Sequence, residues 1–148
     1  MSGIKILLMF LAVSAGVSYA QQTTHRWEPL KLEDERKLWY DKSFLDSITN
    51  DHFSVWILEM HRPPLQIENV PGDVYRSKTL YTVNLQIVRY GILKVIYYDL
   101  ENKEIFSYDY SLPEEDQELR YPYPVTENSF LHLIIKKYFS GNNSTGKK

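Results

Sequence analysis

The chain holds four histidines, His25, His52, His61 and His132, and these are the first residues to test for metal or acid–base chemistry. No two stand four apart, so no helix turn would put two imidazoles on one ion. No Asp or Glu stands at a familiar ligand spacing from two of them. His52 and His61 flank one extended stretch, and nine residues of extended chain separate them by roughly 30 Å. The carboxylates are no more specific. Glu114-Glu115-Asp116 follows a proline and has the form of a solvated acidic loop. There is no G-x-S-x-G elbow, and with 6 glycines no phosphate-cradling loop is present. The cysteine count of zero excludes thiol catalysis, thiolate zinc sites and a disulfide scaffold. No pattern calls for a cofactor or a metal.

Glu59 and Arg89 are charged residues inside otherwise apolar runs. One reading is a polar contact within a pocket. The commoner one is an outward side chain whose stem packs while its charge reaches water. A hydrolase with dispersed catalytic residues would need two or more of His61, Glu59, Arg89 and Asp109 to converge in a cleft.

The aromatic residues are more suggestive. Phe106, Tyr108 and Tyr110 alternate with Ser107 and Asp109, so in a strand they share one face, with Tyr97 or Tyr98 across a hairpin. Tyrosine joins contact area to a polar tip, which suits a ligand pocket or a protein interface. Cross-strand packing under a helix explains such a row equally well. Tyr121-Pro122-Tyr123-Pro124 reads as an extended segment resting on the core. Asn142 and Asn143 each begin an N-x-S/T sequon, and crowding would let only one of the two carry a glycan.

These side chains must be positioned by the elements that the periodicity predicts. Leu38, Leu45 and Ile48 recur at helical spacing with Phe44 beside Ile48, which predicts a helix, or two short ones, between Leu30 and Thr49. From Phe53 to Met60 the run is apolar on both sides, as in a covered strand, and Arg62-Pro63-Pro64 should end it. Leu65 to Val70 predicts a short edge strand before a turn at Pro71-Gly72-Asp73. Thr79 to Tyr90 alternates cleanly, and Gly91 permits a reversal or a bulge. Ile92 to Leu100 and Ile105 to Leu112 predict two more strands joined by a short turn at Glu101 to Glu104. Phe130, Leu131, Ile134, Ile135 and Tyr138 fit a short amphipathic helix, with a strand as the alternative.

The order predicts an α+β fold: an N-terminal helix packed on a curved antiparallel sheet of about four strands, closed by a short C-terminal helix or strand. In layout this is similar to cystatin-like folds and to the cone-shaped fold of nuclear-transport-factor-like proteins. The likeness is one of architecture and implies no function. The glycine-containing leader and the central hairpin motif of a cystatin are not among these residues.

Residues 1–20 have the pattern of a signal peptide: Lys5, the apolar run Ile6 to Val13, and small residues at Ser18 and Ala20. Ser14, Gly16 and Ser18 interrupt the run before it reaches the roughly 20 apolar residues of a spanning helix. Cleavage after Ala20 would leave 128 of the 148 residues and shift the formal charge from −2 to −3, since Lys5 is lost. The expected organisation is a flexible leader over 21–29, one domain over 30–140 and a polar tail over 141–148. A mildly acidic chain with no basic stripe gives no reason to expect nucleic acid as a partner, and no membrane is expected for the mature form. Without disulfides the fold must rest on burial, and 43% hydrophobic residues with 12 Tyr, 6 Phe and 3 Trp can supply it.

Together these features predict a secreted extracellular protein that binds an unknown protein or a small apolar ligand, with Tyr97, Tyr98, Phe106, Tyr108 and Tyr110 as the candidate face. The small secreted hydrolase and a structural extracellular component are the alternatives.

Overall fold

The structure is a computed structural model, and it describes residues 24–49, 51–110 and 119–139. Among the described residues seven strands form one antiparallel sheet: β1 (Trp27–Leu30), β2 (Lys37–Asp41), β3 (His52–Leu65), β4 (Val74–Asn84), β5 (Arg89–Tyr98), β6 (Glu104–Asp109) and β7 (Tyr123–Pro124). The first six lie in sequence order across the sheet, and β7 pairs with β5. One helix, α1 (Phe130–Tyr138), closes the described chain.

The expected N-terminal helix over 30–49 is absent, and with it the α+β layout and the likeness to cystatin and cone folds. Leu38 and Tyr40 alternate with Trp39 and Asp41, and this period of two outweighs the wider spacing of Leu38, Leu45 and Ile48. Leu38 and Tyr40 enter the core at 2% and 0% exposure. The Asp41 carboxylate then accepts the Ser43 N–H at 2.9 Å and starts a 3-10 helix over Lys42–Ser47, which buries Phe44. Trp27 to Pro29, within the predicted leader, form β1 against β2.

Three further boundaries differ for local reasons. β3 runs through Arg62-Pro63-Pro64 to Leu65, because the prolines fall where the β3–β4 register shifts and no ladder donor is lost. Residues 66–70 therefore do not form the separate edge strand. The predicted strand Thr79 to Tyr90 is cut in two. Asn84 Oδ1 accepts the Gln86 and Ile87 N–H groups at 2.9 and 3.2 Å, and Val88 takes φ 52°, so the chain reverses there. Gly91 instead lies inside β5, where a Cβ would sit 1.9 Å from the Arg120 carbonyl oxygen. The turn before β6 is built on Asp99 Oδ1, which accepts the Glu101 and Lys103 N–H groups at 2.9 Å each.

Side chains alternate across the sheet. Leu38, Tyr40, Phe53, Val55, Ile57 and Val83 point to one face and enclose Leu131 and Ile134 of α1. Ser129 caps α1 by accepting the His132 N–H at 3.2 Å. The Tyr40 and Tyr138 hydroxyls meet at 2.6 Å, and Lys137 donates to Tyr40 at 2.9 Å and to Glu28 at 2.5 Å. The Lys137 bond, with Tyr40 and Lys42 adding to it, holds the Glu28 carboxyl down at about 2. Strand β1 and the end of α1 are thus joined by one polar cluster.

Candidate functional site

The core around α1 occupies β2 to β4 and reaches Tyr90 of β5. Beyond Val95, which is 8% exposed, the same face continues onto β5 and β6. The ladder places Tyr97 opposite Phe106 and Val95 opposite Tyr108. Their rings make a continuous series: Phe106 to Tyr108 at 4.7 Å, Tyr97 to Tyr108 at 6.3 Å edge to face, and Tyr108 to Tyr110 stacked at 5.9 Å. None of the four belongs to the side-chain cluster that surrounds α1. Tyr110 is half exposed. Burial raises the Tyr97 hydroxyl above its ordinary value, and the neighbouring Tyr110 and Tyr108 raise it further.

Tyr98, the fifth candidate of this face, is on the other one. It pairs with Arg76 of β4 and, through a register shift beside Tyr97, with Glu104 of β6. Burial raises its hydroxyl, with Glu104 adding to the rise and Arg76 opposing it.

The ladder ends beside a groove. β6 pairs with β5 from Lys94 outward, and β7 pairs with Arg89 and Tyr90. Between them Gly91 to Leu93 form a gap in the outer edge of β5, bridged by the Tyr110 N–H to the Leu93 carbonyl at 2.7 Å. Ile92, Leu93, Tyr110, Leu119, Pro122 and Tyr123 are among the residues lining a cavity of about 520 Å³ here. Arg89 holds the far wall, donating from Nε to the Tyr121 carbonyl at 2.8 Å and from its second nitrogen to the Pro122 carbonyl. It is a tether for the segment that passes over Gly91. Tyr121-Pro122-Tyr123-Pro124 does not rest on the core as expected: it passes over Gly91 on the sheet face away from α1, and its last two residues are β7 at the edge of β5.

The residues of the hydrolase alternative fall into separate places. Glu59 and His61 lie together near the end of β3, and His61 Nε2 is 2.9 Å from Ser77 Oγ. Burial lowers the His61 imidazole against the opposing pull of Glu59. Ser77 is mid-strand, paired with Glu59 on one side and Tyr97 on the other, so the ladder uses the local backbone N–H groups that an oxyanion hole would need. Arg89 pairs with Asn84, seven residues along β4 from Ser77, or roughly 23 Å. Asp109 lies three strands from β3, opposite Lys94.

Sequence reasoning missed a second cluster. Asp41, 2% exposed, accepts the His25 Nδ1–H at 2.5 Å and the Arg26 backbone N–H at 2.8 Å. Lys78 Nζ donates to His25 Nε2 at 2.6 Å and lies 4.7 Å from the Trp56 ring and 5.6 Å from that of Trp27. Burial alone would raise the Asp41 carboxyl; its hydrogen bonds from His25, Ser43 and Arg26 together hold it at about 2. Burial lowers the Lys78 amine, with Asp41 opposing. The pairing of β1 with β2, and of β2 through β3 with β4, unites these residues, and neither β1 nor β2 was predicted.

Of the other histidines, His52 contacts Asn84 at 3.0 Å and His132 is on α1. Among the described residues no three His, Asp or Glu side chains are grouped to hold a metal, and no helix is long and apolar enough to cross a membrane. Ala20, Asn142 and Asn143 lie outside the described residues. Comparison with protein-family models, with curated proteins and with solved structures finds no match for this chain.

Proposed function

We propose that this chain is a secreted binding protein that engages a protein segment or a small apolar ligand through the ladder of Tyr97, Phe106, Tyr108 and Tyr110 and the groove beside it. The observation that carries the reading is that these four rings pack on one another outside the helix-covered core, with a groove at the open end. Adjoining rings with polar tips give contact area at low conformational cost, as interface tyrosines do. The gap at Gly91 to Leu93 adds backbone edge that an extended peptide would pair with. The signal-peptide pattern of residues 1–20 supports export, and the sequons at Asn142 and Asn143 are candidate glycan acceptors on the exported form.

The test is an amide and aromatic NMR titration of the secreted protein with extended aromatic peptides and with small apolar compounds. Shifts should cluster on 92–93, 97, 106–110 and 119–123. Shifts confined to the α1 half, or saturable binding that survives Tyr108→Ala with Tyr110→Ala, would overturn the proposal. N-terminal sequencing of the secreted product should begin at Gln21.

A further inference from the structure

The sheet has a second face, and the described elements leave most of it bare. Trp27 stands opposite Asp41, Trp39 opposite Leu58, and Trp56 opposite Leu80. By the alternation of the strands, all three tryptophans of the chain point away from α1. On β4 and β5 their apolar neighbours are interleaved with cations. Lys78 stands between Leu58 and Ile96, Lys94 is opposite Leu80, and Arg76 stands between Met60 and Tyr98. The placement of Lys78 over the Trp56 and Trp27 rings agrees with this common side. Among the described residues this face is crossed at its Gly91 end by Arg120 to Pro122 and at one corner by His25.

Its electrostatics are one-sided. The carboxylate inside the face, Asp41, is consumed by His25 and by the backbone of Arg26 and Ser43. Glu104 and Asp109 stand on the outer strand β6, opposite Tyr98 and Lys94. Among the described residues two buried side-chain donors have no hydrogen-bond partner, Arg76 Nε and Arg120 Nε, and both belong to this side of the sheet. The centre of the face thus holds Arg76, Lys78 and Lys94 among indole, aliphatic and phenol groups.

We propose that this face docks an acidic amphipathic segment of another protein, one that carries apolar side chains between its carboxylates. Tryptophan, tyrosine, methionine and arginine are the residues enriched at the centres of protein interfaces. Lys78 is bonded to His25 and Lys94 stands opposite Asp109, but Arg76 Nε lacks a partner, and carboxylates are what would complement this group of cations; a second copy of the same face would set lysine against lysine. Four strands about 4.8 Å apart and three alternating rows about 7 Å apart give a patch some 15–20 Å on a side. That area fits one helix or one hairpin, and contact of this size is weak and salt-sensitive.

The experiment uses the mature protein and a fluorescent helical peptide of about sixteen residues made of Glu, Leu and Ala, with a Lys-for-Glu twin as control. The Glu peptide should bind at least about tenfold tighter than its twin, and its affinity should fall as salt rises from about 50 to about 300 mM. Lys78→Glu with Lys94→Glu should weaken it by about tenfold or more. Lys94→Gln, a milder change, should weaken it about threefold, and Lys136→Gln, exposed on α1, should leave it unchanged. Equal binding of the two peptides, no binding of the Glu peptide, or full binding by a folded charge-reversal variant overturns the proposal. So does binding only to phosphatidylglycerol vesicles or only to a sulfated oligosaccharide, and so does self-association through this face in sedimentation.

Discussion

On β2 to β4, and at Tyr90 of β5, the inner-face aromatic side chains pack with the core under α1; from Val95 onward on β5 and β6 no described element covers them. Tyr40, Phe44, Phe53 and Tyr138 interlock around Leu131 and Ile134, and their polar tips are tied off by Lys137 and by each other. Tyr97, Phe106, Tyr108 and Tyr110 make three ring contacts, all with one another. Tyr81 marks the border: it touches Phe130 of α1 at 5.2 Å, and burial, with Tyr90 and Glu59 adding, pushes its hydroxyl up to about 12. The same residue type is therefore enclosed by the helix in one half and half-buried among its own kind in the other. Coverage by the helix decides which.

Truncation should break the two halves unequally. Ile134→Ala, at 0% exposure, should cost about 3 kcal/mol of unfolding free energy in urea denaturation. Tyr108→Ala should cost about 1 kcal/mol or less, since only cross-strand packing is lost. Equal costs would mean that the ladder is as much core as Ile134 is. Gly91→Ala comes next. Its new Cβ would meet the Arg120 carbonyl at 1.9 Å, so the wall of the groove must move, at about 2 kcal/mol. Hydrogen exchange should show the added opening in 119–124 and not in α1.

The acid limb of stability sharpens the contrast, because it belongs to the other face. The Asp41 carboxyl is held at about 2 against an ordinary 3.8. Its contribution, about 2 kcal/mol, is present above pH 4 and is lost as the pH falls from there through about 2. Asp41→Asn should remove that part of the acid-limb slope. An unchanged slope would show that the His25–Asp41 bond is not maintained in solution. The smallest effect is expected for Tyr110→Ser, within about 0.5 kcal/mol by thermal unfolding, because the ring is already half exposed.

Much of the meander was legible. The runs that became β3 to β6 carry β-branched and aromatic residues in alternation, and α1 carries its apolar stripe. What failed was set by contacts distant in sequence. Leu38 and Tyr40 alternate over too few residues to compete with a helical spacing that extends to Ile48. Trp27 to Pro29 look like leader until β2 exists to pair with them. Asn84 held a visible signal, an Asn side chain able to close a turn, which the unbroken alternation from Tyr81 to Ile87 obscured. Gly91 looked like a reversal because nothing local reveals that Arg120 will cross it. For the aromatic row the strand alternation was readable and the register was not: the hairpin alone decides that Tyr97 joins Phe106 and Tyr108 while Tyr98 turns to Arg76. His25, Asp41 and Lys78 are up to 53 positions apart and could not be joined without the sheet.

The most direct test is aromatic-proton relaxation of the mature protein in the presence of a soluble, uncharged gadolinium chelate. If the ladder lies open beside its groove, Tyr108 and Tyr110 will be broadened far more strongly than Tyr40 and Tyr138. Equal protection of all four rings would show the ladder to be covered, and the binding face would be lost.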